Sequence, residues 1–170
     1  MKVYYHAIPT PAGPITAVCD EDHLLMLSWG FHPHDDSRVC RRLGLDKAQW
    51  HAGEHPILAE TSRQLADYFA GQRRDFGLPL KLQGTDFQKS VWQKLQAIPF
   101  GSTLSYAELA AAIGKPSAHR AVANANGANA LPIVIPCHRV IGSDGKLAGY
   151  TGGTDIKQCL LKIEGITLAA

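Results

Sequence analysis

The sequence predicts an α+β chain in two parts: a small N-terminal antiparallel sheet with helices over residues 1–82, and a mostly helical C-terminal domain over 83–170. Three observations carry that prediction. The first thirty residues alternate apolar runs with turn-rich separators, two capping boxes open helices in the second half, and the style of punctuation changes near 80–85. With 170 residues, 45% hydrophobic and 19% charged, the chain is long enough to bury a core and has a soluble, globular composition. It shows neither an apolar stretch of membrane-spanning length nor, in MKVYYHAIPTPAGP, the apolar core of a signal peptide. A cytoplasmic or nuclear location, with no membrane partner, is therefore expected, the cytoplasm being the first choice.

In chain order, KVYYHAI, ITAVC and LLMLSW read as strands separated by the turn-rich PTPAGP and the polar DEDH. Helices follow around 35–43 and over 56–70, where Pro56 suits a first helical position and Leu58, Leu65 and Phe69 recur at helical spacing. GQRRDFGLPLKLQG reads as a connector carrying one short strand. TDFQKSVWQKLQAI then opens with the Thr85/Gln88 capping box and presents Phe87, Val91, Trp92 and Leu95 on one face. Ser105 and Glu108 cap the next helix, SYAELAAAIG, which stops at Gly114, and a third helix is predicted from Pro116 and Ser117 through AHRAVANAN.

Two short helices joined by GKP have the outline of a helix-turn-helix, which is equally the outline of many packing units. The third helix is mostly alanine around His119, Arg120, Asn124 and Asn126, so on DNA it would approach closely and read little sequence. Charge points the same way. Residues 1–84 hold 9 Lys and Arg against 10 Asp and Glu, a balance of −1; residues 85–170 hold 8 against 5, a balance of +3.

The four cysteines, at 19, 40, 137 and 159, form no Cys-x-x-Cys pair and are expected as free thiols. One stands in unusual company: IVIPCHRVIG, residues 133–142, runs from a strand-like Ile-Val-Ile through Pro136 into Cys137, His138 and Arg139. Along a strand Cys137 and His138 would face opposite ways, so they can cooperate only if the chain turns at Pro136. A neighbouring imidazole and a cation would favour the nucleophilic thiolate. The alternative is a buried cysteine acting as a small hydrophobe. Against it, a structural strand gains nothing by burying three polar groups near its end.

PCHRV at 136–140, preceded by NALPIVI and followed by GYTGG and KIEG, resembles the active-site signature of the O6-alkylguanine-DNA alkyltransferases, the methylated-DNA–protein-cysteine methyltransferases. FQKSVW, IPFGSTLSYAELA and RAVANANGAN extend the resemblance over residues 85–170, with looser matches in TPAGPI and ADYFAG. It implies a ribonuclease H-like N-terminal domain and a winged-helix-like helix-turn-helix behind it. The implied activity is DNA repair: a single, irreversible transfer of the alkyl group from O6-methylguanine, with O4-methylthymine a second candidate, to the protein's own Cys137. The implied partner is double-stranded DNA, bound by a monomer from the minor groove with the damaged base flipped out.

In this resemblance Cys137 is the nucleophile, His138 its base through a water, and Glu164 the group that orients His138. Glu164 also lies beside the arc of Ile156, Leu160 and Ile163 near a helix end, where the dipole disfavours a carboxylate unless it is paired; as a bare residue it reads equally as a solvated end. Tyr106 would donate its hydroxyl to the leaving base, or else be a core aromatic at a helix start. Arg120, otherwise a solvated helix residue, would fill the gap left by the flipped nucleotide. Asn129 would fasten the turn before the cysteine, Tyr150 and Thr151 would line the pocket, and Arg139, Ala121 and Ala125 would join the DNA-binding set. The chain departs from many relatives at Ala123, Ala130 and Thr151. No cofactor is implied. No metal is expected either, since Cys19 and His23 lack further aligned ligands. Two other function classes remain open: a DNA-binding regulator sensing through Cys137, and a cysteine hydrolase.

Overall fold

The computed structural model describes residues 1–30 and 38–168. These fall into two compact units, Met1–Gln83 and Gly84–Ala170.

In the first unit, β1 (Lys2–Ile8), β2 (Ile15–Cys19) and β3 (Leu24–Trp29) form the expected meander. Tyr4 lies opposite Cys19 and Ile15 opposite Trp29, with an irregularity between Val18 and Cys19. Every residue of β2, an inner strand of the order β3-β2-β1-β4, is buried. The fourth strand, β4 (Gln49–Ala52), pairs parallel to β1, so the sheet is mixed rather than antiparallel. QWHA carries neither alternation nor β-branched residues, and β4 is held by its partner rather than by propensity.

Around 35–43 the structure holds a short helix, α1 (Arg38–Arg42); the predicted start at 35 lies outside the described residues. The long helix α2 (Pro56–Phe69) begins with Pro56 as predicted, capped by His55, whose Nδ1 accepts from the Ile57 amide at 3.2 Å. Leu58, Leu65 and Tyr68 form its buried face, with Tyr68 rather than Phe69 in the core. The connector forms no strand. It makes a single bridge, Leu80 to Leu24, and is pinned by Gln64, whose side chain bonds both backbone groups of Gly77.

The second unit opens with α3 (Asp86–Gln96), where both halves of the Thr85/Gln88 capping box are present. Its buried side chains are Val91, Trp92 and Leu95. Trp92 satisfies its ring N–H by donating to the Ala125 carbonyl at 2.9 Å, which ties α3 to α5 (His119–Gly127). The Ser105/Glu108 box likewise caps α4 (Tyr106–Ala112). The third helix starts later than predicted: Pro116 and Ser117 form a turn, and α5 begins at His119. Ahead of α4, β5 (Leu104–Ser105) pairs parallel with β6 (Val140–Ile141), and α6 (Thr154–Ile163) closes the unit.

The segment before the cysteine is buried, but it is not a strand. Residues 131–134 wind through turns, with Ile133 in the left-handed region at φ 72°. Asn129 holds this winding from inside: Oδ1 accepts from the Leu131 amide at 2.9 Å, and Nδ2 donates to the Ile135 carbonyl at 2.8 Å. Pro136 then leads into a 3-10 helix over Cys137–Arg139, so the three side chains fan outward from one turn instead of alternating along a strand.

Candidate active site

Cys137 lies at the floor of a small cleft of about 230 Å³ in the second unit, its walls formed by Tyr106 from α4, Ala123 and Asn126 from α5, and Tyr150 and Thr151 from the loop before α6. A larger cleft of about 640 Å³, between His6, Glu54, His55 and Ser62, belongs to the first unit and holds no thiol. The Cys137 thiol is only 2% exposed, and burial pushes it up to about 11. The Asn129 side chain and the charge of Lys157 act in the opposite direction. At rest it is therefore a protonated thiol that needs a base.

His138 supplies the base. Its ring is fully buried and its Nε2 lies 2.5 Å from Glu164 Oε2. A carboxylate can only accept, so Nε2 carries the hydrogen and Nδ1 carries the lone pair. Nδ1 is buried with no hydrogen-bond partner, which leaves that lone pair uncommitted. Burial lowers the imidazole's proton affinity, although Glu164 partly opposes this, so the ring rests neutral and able to accept a proton.

Glu164 is the hub of this network. It occupies the C-cap of α6, where the helix dipole repels a carboxylate, and draws donors from three directions to compensate. Besides His138, Arg139 Nε donates to Oε1 at 2.8 Å and Nη2 to Oε2 at 3.2 Å, while the Gly101 amide donates to Oε1 at 3.2 Å. Arg139 Nη1 also holds the Ile98 carbonyl at 2.7 Å. The buried face of α6 runs through Lys157, Leu160, Leu161 and Glu164, rotated from the predicted arc of Ile156, Leu160 and Ile163.

Two sequence-based placements are corrected here. Arg139, grouped with the DNA-binding residues, is buried with its guanidinium spent on Glu164 and Ile98, because a carboxylate at a helix C-terminus needs that cation. Ala125 is also buried, with its carbonyl accepting from the Trp92 ring N–H. By contrast, Arg120 and Ala121 are exposed in the first turn of α5. Tyr106 and Tyr150 are half-buried, and the exposed Thr151 donates its hydroxyl to the Gly127 carbonyl at 3.3 Å, joining the loop to the end of α5. Burial raises the Tyr106 phenol above its ordinary value, and the Asn126 side chain acts in the opposite direction.

Sequence reasoning missed Lys157. This lysine is 0% exposed, and its ammonium donates to the Val140 carbonyl at 2.6 Å and to those of Ala148 and Gly149 at 3.4 Å each. It thus ties the strand after the cysteine to the loop that walls the cleft. Burial pushes it down to about 8, against the pull of Cys137. Its position on one helical stripe with Leu160, Leu161 and Glu164 was the available signal. Cys19 and His23 form no comparable site: burial pushes the Cys19 thiol up to about 12, and His23 lies 3.9 Å from Asp20. Among the described residues no group of three His, Cys, Asp or Glu is placed to hold a metal ion.

Comparison with known proteins aligns with this geometry. A family model described as the 6-O-methylguanine DNA methyltransferase DNA-binding domain matches residues 86–166, and one described as the ribonuclease-like domain of that methyltransferase matches residues 3–82. The chain is 47% identical over 162 residues to the methylated-DNA–protein-cysteine methyltransferase of Methanosarcina barkeri, covering 95% of this chain and 97% of that protein. It is 45% identical to the constitutive enzyme of that name from Bacillus subtilis, over 96% of each. Among solved structures, Mycobacterium tuberculosis OGT in complex with DNA matches with a TM-score of 0.80 at 41% identity, covering 95% of this chain and 92% of that one.

Proposed function

The chain belongs to the methylated-DNA–protein-cysteine methyltransferase family, and from that premise we propose that it repairs DNA by moving the alkyl group of O6-methylguanine onto its own Cys137. The observation that carries the assignment of roles is the uncommitted Nδ1 of His138, set by the Glu164 contact beside a thiol that burial keeps protonated.

The step balances as follows. His138 Nδ1 takes the Cys137 proton through a water, while Glu164, itself held by Arg139, orients the ring and compensates the imidazolium that forms. Cys137 Sγ bonds to the alkyl carbon in line with the breaking C–O6 bond, and the electron pair stays on the guanine. The Tyr106 hydroxyl donates its proton to the leaving base and is reprotonated from water as His138 returns its proton to water, so that the net proton lost by the thiol appears on guanine. The product thioether has no route back to a thiol within this site, and each molecule acts once.

Cys137 is buried against a cleft of about 230 Å³, so the base would have to leave the helical stack to reach Sγ. Arg120 would occupy the space it vacates, with Ala121 allowing α5 to approach the minor groove closely. Tyr150 and Thr151 wall the base pocket, and Asn129 holds the cysteine turn in register. We place the domain boundary at 82/83 and assign the protein to the cytoplasm as a monomer. Cys137→Ser is expected to abolish alkyl acceptance from an O6-methylguanine duplex while leaving binding of that duplex intact in a mobility-shift titration. Full acceptor activity in the variant would end this reading.

A further inference from the structure

The turn between α3 and β5 has no task in the mechanism above, yet it touches the buried Arg139–Glu164 pair repeatedly. Arg139 Nη1 donates to the Ile98 carbonyl at 2.7 Å, the Arg139 guanidinium lies 5.8 Å from the centre of the Phe100 ring, and the Gly101 amide donates to Glu164 Oε1 at 3.2 Å. The Ser102 amide closes the turn by donating to the Pro99 carbonyl at 3.1 Å, which makes Gly101 its third residue, at φ 84°. With Phe100 outside the left-handed region, a positive φ at the third position marks a type II turn. The type I alternative differs by a flip of the central peptide, and the N–H of that peptide belongs to Gly101.

We propose that Gly101 is a positioning residue for alkyl transfer: by allowing the type II turn it aims its amide at Glu164 and keeps that carboxylate set against His138. Oε1 accepts from Gly101 and Arg139 Nε, while Oε2 accepts from His138 and Arg139 Nη2. With donors on both oxygens, Glu164 stays ionised when His138 becomes an imidazolium. A residue that resists positive φ drives the turn to type I, points the N–H away and leaves Oε1 with one donor fewer. Space is not the constraint. Apart from its chain neighbours, a Cβ at position 101 would meet only the Glu164 backbone carbonyl, at 3.6 Å, an ordinary contact. The same turn runs through β5 into Tyr106, the first residue of α4, so this segment borders both the base and the acid of the reaction. The inference rests on the proposed roles of His138 and Glu164.

Gly101→Val and Gly101→Asn separate backbone conformation from bulk, because asparagine adopts a left-handed φ readily and a β-branched residue does not. One measurement needs no DNA. The His138 Nε2 proton, assigned by its loss in His138→Gln, should give a downfield NMR resonance that moves upfield in Gly101→Val and returns toward its original position in Gly101→Asn. An unmoved resonance in the valine variant would overturn the proposal. Single-turnover methyl transfer from an O6-methylguanine duplex, at saturating DNA, should slow about tenfold in Gly101→Val, the lower end of what a lost hydrogen bond to a charged group is worth. Gly101→Asn should recover most of that loss. A turn that merely supports the fold would lower the urea midpoint of Gly101→Val while sparing resonance and rate, and equal slowing in both variants would mark bulk rather than conformation; either result refutes the proposal. Gly101→Ala serves where the valine does not fold. Absence of methyl transfer by the unsubstituted protein would count against the functional reading, whereas the imidazole resonance judges Gly101 by itself.

Discussion

Glu164 shows how a single side chain can serve structure and reactivity together. Replacing it with glutamine keeps its volume but removes the charge that answers Arg139, and offers an N–H where His138 needs an acceptor. Breaking a buried pair from one side leaves an uncompensated charge, so Glu164→Gln should lose about 3 kcal/mol in urea denaturation. With the imidazole tautomer no longer fixed, its methyl-transfer rate should fall by roughly 10²- to 10⁴-fold, the usual range for a lost general base. His138 also makes stability depend on pH. Burial lowers its proton affinity in the folded state from an ordinary value of 6.5, so an unfolded chain binds a proton that the folded chain refuses. The folded state therefore loses stability as pH falls below about 6.5, and His138 contributes no slope above that. Urea midpoints measured across this range should fall less steeply for His138→Gln than for the unsubstituted protein; parallel curves would remove His138 from the account.

Two helices of the second unit are set by their first residues. Thr85 and Ser105 each accept from the backbone three residues on, while Gln88 and Glu108 reach back, so neither α3 nor α4 leaves these donors bare. Thr85→Ala should cost about 1 kcal/mol, measurable as a lower urea midpoint with an unchanged m-value. Such local chemistry is why these two helices, the β1–β3 meander and the Pro56 start of α2 were legible in the sequence. The segment from Leu131 to Arg139 was not. Ile-Val-Ile reads as a strand because β-branched residues favour one, yet Asn129 captures the backbone groups of Leu131 and Ile135 and winds the chain instead. Likewise β4 exists only because Lys2–Tyr5 offers it a partner, and a partner distant in sequence has no local signature. Of the site, Cys137, His138 and Glu164 could be read from motif and helix position. The inward turn of Arg139 and the burial of Lys157 depend on tertiary contacts, and only the i, i+3, i+4, i+7 stripe hinted at the lysine.

Across the whole molecule, the chemistry resides in the second unit, which also carries the excess of positive charge and the helix pair whose exposed first turn presents Arg120. The first unit contributes a sheet core built on the fully buried β2 and a thiol, Cys19, that burial keeps inert. Within the second unit, three helices converge on the cysteine turn: α3 braces α5 through Trp92, α5 leads into the Asn129 turn, and α6 brings Glu164 to His138 and Lys157 to the Val140 carbonyl. That convergence fits a reaction in which one nucleophile is used once and must be held ready until a damaged base arrives. The most direct test is peptide mass spectrometry of the protein after incubation with a duplex carrying a single O6-methylguanine. One added methylene mass on the Cys137 peptide, saturating at one per protein as the lesion disappears, is the predicted result. An unmodified Cys137 beside repaired DNA would contradict it and mark a turnover enzyme instead.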